Sequence, residues 1–112
     1  MKSVSWEEFR FYVRQLSDKI IASGKKYENI LSLPEGIIPA FCLSKILGVP
    51  FTMDSSKATQ NTLVIDTYAD EDLESYAGWD LDTAALFYKK GGPEPRYYAL
   101  EVKKKPGMPW DF

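Results

Sequence analysis

The chain has 112 residues, 45% hydrophobic and 27% charged, which suits one compact folded domain and is too short for two. Its formal charge of −2 offers no general attraction to nucleic acid or anionic membranes, so neither is expected as a partner. It has no histidine and a single cysteine, Cys42, which excludes Ser-His-Asp and Cys-His catalysis, an internal disulfide, and histidine or cysteine-cluster metal sites.

The opening residues, MKSVSWEEFR, lack the form of a secretory signal, and a cytoplasmic protein is expected. They lead into the clearest helix. Ser5 is a good N-cap, Glu8 completes a capping box, and Val4 and Phe9 are spaced as a hydrophobic staple. Phe9, Val13, Leu16, Ile20 and Ile21 recur at three- and four-residue steps, predicting one buried face, and Gly24 ends the helix. Lys25 and Lys26 follow at the negative end of the helix dipole.

ENILSLP reads as a short strand, Glu35-Gly36 as a turn, and the next stretch as a helix with Pro39 in its first turn and Gly48 as its stop. The longest uncharged run, Gly36 to Ser44, is far short of the roughly 20 apolar residues of a spanning helix. Cys42 within it reads as a core residue. Residues 49–54 predict a strand, SSKATQN a connector, and TLVID the most strongly marked strand of the chain. A short helix is predicted over Glu71 to Ala77, then strands at AALFYK and RYYALEV around a GGPEP turn. Strands alternating with helices, with apolar runs rather than strict alternation, predict a single α/β domain over residues 1–112 with a mostly parallel sheet covered on both faces.

In such sheets ligands bind beyond the carboxyl ends of the strands. Two of those ends are the segments Leu33-Pro34-Glu35-Gly36 and Asp66-Thr67-Tyr68-Ala69-Asp70. The second runs into Glu71, Asp72 and Glu74, so any metal there would sit on oxygen ligands, which favours magnesium-like ions. These acids also suit the first turn of a helix, with Asp70 as its N-cap. Both readings stay open at this point.

The order and spacing of SWEEFRFYVRQLSDKI, ENILSLPEGIIPAFCLSKILG, TLVIDTYAD, AALFYK and PWDF resemble the type I phosphoribosyltransferases, most of all the small xanthine-guanine enzymes. The resemblance implies transfer of a 5-phosphoribosyl group from a magnesium-bound diphosphate donor to a purine-like base. It implies Asp66 and Asp70 as catalytic acids and magnesium ligands. Glu35, Gly36, Thr67, Lys89 and Trp110 are implied in substrate binding, with Lys89 reading the purine's exocyclic oxygen. A homodimer is implied too, in keeping with seven Tyr, six Phe and three Trp in so short a chain.

The sequence departs from that pattern where the phosphate is received. Thr67 stands in place of the second acid, and Glu71-Asp72-Leu73-Glu74 in place of a Thr-Gly-Gly-Thr type loop. Pro34 and Glu35 replace an arginine and a glycine, and Lys105 falls where an aromatic residue would stack on the base. Two unit charges about 4 Å apart repel by on the order of 4 kcal/mol at a surface-like dielectric, so this cradle reads as filled by the chain's own carboxylates. The alternative to an enzyme is a non-catalytic relative that binds a nucleotide-like ligand or a protein partner.

Overall fold

A computed structural model describes residues 3–111. The capping box forms as expected: the Ser5 hydroxyl accepts from the Glu8 amide at 3.1 Å, and Glu8 accepts from the Ser5 amide at 3.0 Å. It opens α1 (Trp6–Ala22), which buries Phe9, Val13, Leu16 and Ile20. Ile21 is the exception, 57% exposed, because the helix's apolar stripe is narrower than its sequence spacing suggested. Gly24 follows with φ +73°, a conformation that costs a glycine nothing.

The chain continues through β1 (Asn29–Ser32), a 3₁₀ turn (Pro34–Gly36) and α2 (Ile37–Leu47), which Gly48 ends in the left-handed region. The strand expected over 49–54 shrinks to β2 (Phe51–Thr52), because Pro50 cannot donate to a ladder and Asp54 caps a 3₁₀ turn at Ser55–Lys57. Then come β3 (Thr62–Tyr68), α3 (Glu71–Ala77), β4 (Asp82–Lys89) and β5 (Tyr97–Val102). α3 has the bounds the sequence predicted, and β3 runs two residues further, with Tyr68 opposite Phe87 of β4.

All five strands are parallel, in the order β2-β1-β3-β4-β5. α1 and α2 cover one face, over Ile30, Leu63, Ile65 and Phe87; α3 covers the other through Leu73, over Leu31, Val64 and Ala85. The return from β4 to β5 holds no helix. Residues 90–96 must retrace about 17 Å of strand, within the reach of roughly 25 Å that seven extended residues have. This strap passes beside α3, where Pro93 and Pro95 line a small hollow together with Leu73 and Ala77 of the helix.

At the amino edge of the sheet, Tyr27 donates to Asp82 at 2.6 Å and shares a hydrogen bond with Tyr97 at 2.8 Å, while Lys25 pairs with Asp82 at 2.6 Å. These contacts tie the end of α1 to β4 and β5. The segment after β5 returns to the start of α1: the Val4 amide donates to the Gly107 carbonyl, Met108 is buried, and Trp110 stacks edge-on to Phe9 at 5.2 Å. Of the PWDF ending, Phe112 lies outside the described residues. Trp110 is half-buried, whereas Trp6 and Trp79 stand largely exposed. Cys42 is half-buried rather than sealed in the core, and burial pushes its thiol pKa up. No helix among the described residues is long and apolar enough to cross a membrane.

Candidate functional site

The topological switch point lies between β1 and β3, because the chain leaves β1 toward β2 and leaves β3 toward β4. The turn after β1 and the end of β3 therefore flank one crevice. Gly36 closes the two together: a Cβ on it would lie 2.7 Å from the Asp66 Cα and 2.7 Å from the Ile65 carbonyl oxygen. The Thr67 hydroxyl fixes the turn further by donating to the Glu35 carbonyl at 2.7 Å.

Strand alternation sends Asp66 and Thr67 to opposite faces. Ile65 and Leu63 face α1 and α2, and Val64 faces α3, so Asp66 emerges on the α3 side and Thr67 on the other. Asp66 is 5% exposed and lines a cleft of about 530 Å³, together with Glu35, Asp70, Asp72, Tyr76 and Lys105. One of its oxygens, Oδ1, accepts from the Thr67 amide at 2.7 Å; among the described residues Oδ2 has no hydrogen-bond partner. Burial pushes the Asp66 pKa up to about 6, helped by the charges of Asp70 and Glu35 and opposed by the Thr67 amide and Lys105.

Asp70 is the N-cap of α3. Its Oδ1 accepts from the amides of Asp72 at 3.0 Å and Leu73 at 3.3 Å. Two of the amides that open this helix, those of Asp72 and Leu73, thus already have a carboxylate partner. Glu71, Asp72 and Glu74 form an exposed acidic first turn, matched to the helix dipole. Among the described residues, no group of three acidic or sulfur side chains converges closely enough to hold one metal ion. Asp66 and Asp70 share the cleft, but one oxygen of each is committed to backbone amides.

The remaining sequence-predicted residues are distributed over neighbouring hollows. Lys89 is exposed at the end of β4 and lines a second hollow of about 420 Å³ with Tyr68, Asp70 and Asp72, apart from Asp66. Thr67 and Trp110 line a third, of about 300 Å³, with Pro34 and Glu35. Sequence reasoning did not find what divides the first hollow from the third. Lys105, on the segment after β5, reaches across to pair with Glu35 at 2.8 Å and sits 5.9 Å from the Tyr68 ring centroid. That hydrogen bond raises the Lys105 pKa and keeps it charged. Seventy positions separate the partners, and no local pattern announces them.

A five-stranded parallel sheet in this order, with a tight turn after β1 and an acid at the end of β3 meeting at the switch point, is the type I phosphoribosyltransferase fold. Solved structures bear this out over the full length. The chain superposes on a purine phosphoribosyltransferase from Pyrococcus horikoshii with TM-score 0.78 and 21% identity, covering 100% of this chain and 95% of that one. The xanthine-guanine-hypoxanthine phosphoribosyltransferase of Helicobacter pylori gives TM-score 0.76 and 14% identity, covering 97% and 92%. A hypothetical protein from Neisseria gonorrhoeae with bound ppGpp gives 0.74 and 20%, covering 100% and 91%. No sequence-family model and no curated protein matches the chain.

Proposed function

We propose that this protein is a non-transferring module of the phosphoribosyltransferase fold, which keeps the cleft at the switch point as a binding site for a small ligand. The observation that supports this reading is the Asp70 carboxylate on the Asp72 and Leu73 amides. A transferase of this fold needs free backbone amides for the donor's 5′-phosphate, whose dianion would here meet Asp70, Glu71, Asp72 and Glu74 instead. Magnesium, which the transferase reaction uses to carry the diphosphate, finds an incomplete donor set. Among the described residues Asp66 offers one unpartnered oxygen, Asp70 has one oxygen tied to amides, and the only cation lining the cleft is Lys105, already on Glu35.

A second reading rests on Asp66. A buried strand-end acid at the switch point, with one oxygen open to the cleft, suits a ribose or magnesium ligand. In that reading Asp66 and Asp70 hold the donor, Thr67 and Gly36 shape the diphosphate turn, and Lys89 and Trp110 flank a purine-like base. Calorimetry with phosphoribosyl diphosphate and magnesium, beside a transfer assay with guanine, xanthine and hypoxanthine, separates the two. We expect no nucleotide product and no magnesium-dependent heat. Donor affinity tighter than roughly millimolar that Asp66→Asn weakens, or any nucleotide formed, overturns the non-transferring reading.

A further inference from the structure

We infer that the outward face of α2, continued by the β2 edge, is the surface on which a second copy of this chain packs. The inference concerns assembly and is independent of what the cleft binds. The sequence of α2, IIPAFCLSKIL, is apolar on every side, with Lys45 its single charge. A helix of that composition is ordinarily enclosed all round. Within one chain it buries Pro39, Ala40 and Leu43 against the sheet and leaves the opposite side bare. Ile37 and Phe41, four residues apart and so neighbours along one stripe, are 41% and 50% exposed. The stripe runs on to the β2 edge, where Phe51 meets the Phe41 ring edge-on at 6.1 Å and Met53 is 49% exposed.

Charge and area point to the occupant. Lys45 lies over the Phe41 ring at 5.4 Å, and α2 brings no other charge to the stripe. An acidic or basic partner therefore finds little to pair with. A membrane surface is the poorer fit, because helices that lie on one carry several cations along a polar face. β2 has two residues, too few to extend the sheet through its edge. What such a stripe matches is a copy of itself: across a two-fold axis each stripe packs into the other, the same patch serving both partners. Ile37, Phe41 and Met53, with the half-buried Ile38 and Phe51, offer on the order of 400 Å² of apolar surface. A standard homodimer takes about 800 Å² from each partner, about 65% of it apolar, so the stripe supplies most of the apolar part and a polar rim the rest. Trp79 follows α3 on the opposite face of the sheet, so one two-fold contact through α2 leaves it free. Ile37 also lines the third hollow with Thr67 and Trp110, and a copy seated on α2 abuts that hollow.

The test is sedimentation equilibrium on the full chain at micromolar concentration. We expect a dimer with a micromolar or tighter dissociation constant, little changed by salt. Phe41→Glu, at a half-exposed position, should weaken it at least about tenfold while circular dichroism and the melting temperature remain those of a folded chain. Should that variant misfold, Phe41→Ala adds no charge and should itself weaken the dimer about tenfold. Trp79→Ala, away from the stripe, should leave it within about twofold. A parent that sediments as one chain overturns the inference, and if that monomer floats with phosphatidylcholine vesicles the face belongs to a lipid surface instead. A dimer that both Phe41 variants leave intact, or that Trp79→Ala dissociates more than either, uses another face and overturns the inference as well.

Discussion

Gly36 and Asp66 touch through their backbones: a single added carbon on Gly36 would lie 2.7 Å from the Asp66 Cα. The obstacle is main chain on both sides, so no side chain can swing away. Gly36→Ala must therefore part the turn from β3 and strain the Thr67–Glu35 hydrogen bond. We expect a loss of about 1–3 kcal/mol in urea unfolding, the usual cost of overpacking. An unchanged midpoint would mean that the two segments are not held in this contact.

Asp66 gives a pH dependence with a definite sign. Its folded pKa, about 6, is above the ordinary carboxylate value of 3.8, so the folded state favours the protonated form. This group does not oppose folding below about pH 4. Its penalty grows between 4 and 6 and reaches up to about 3 kcal/mol above that, at 1.36 kcal/mol per unit. Asp66→Asn keeps an acceptor for the Thr67 amide and removes the charge. The variant should melt above the parent at pH 7.5, with the gap closing toward pH 4. A gap that is constant across this range contradicts the burial of a charged Asp66.

The acidic helix offers a graded series. Leu73 is its buried anchor, so Leu73→Ala should cost about 2–5 kcal/mol. Asp70→Ala removes the N-cap and should cost about 1 kcal/mol. Glu71→Ala, exposed in the same turn, should stay within about 0.5 kcal/mol. Chemical denaturation orders the three; Glu71→Ala as damaging as Asp70→Ala would show that the turn, not the cap, carries the helix.

Self-association is expected from the aromatic surface. Trp79 is 75% exposed, and Trp6, Phe11 and Phe41 are also more than half or about half exposed in the single chain. Covering such rings is what aromatic-rich interfaces do. We expect a homodimer, and light scattering at micromolar concentration that returns the mass of one chain would contradict it.

Features written into neighbouring residues were legible in the sequence. The Ser5–Glu8 box, the Gly48 stop and α3 from Glu71 to Ala77 each follow from chemistry within a few positions. Asp70 as a helix cap was legible for the same reason. The opposite facing of Asp66 and Thr67 follows from strand alternation, yet the resemblance had set the two side by side in one site. The Glu35–Lys105 pair was not, because only the folded topology brings residues 70 positions apart together. Nor was the raised pKa of Asp66, which depends on burial by elements on both sides of it. The GGPEP turn between β4 and β5 was legible, but the parallel pairing of the two strands across it was not, because so short a gap ordinarily signals a hairpin.

The packing of α1 bears on how the protein is made. Phe9, Val13, Leu16 and Ile20 leave the ribosome well before β5 and the Gly107 carbonyl that receives the Val4 amide. Until then an amphipathic helix waits with much of its apolar stripe uncovered. Long-range closure of this kind slows folding and leaves the nascent chain open to off-pathway association. Synthesis of this small domain therefore calls either for rapid completion of the chain or for a chaperone able to shield one helical face.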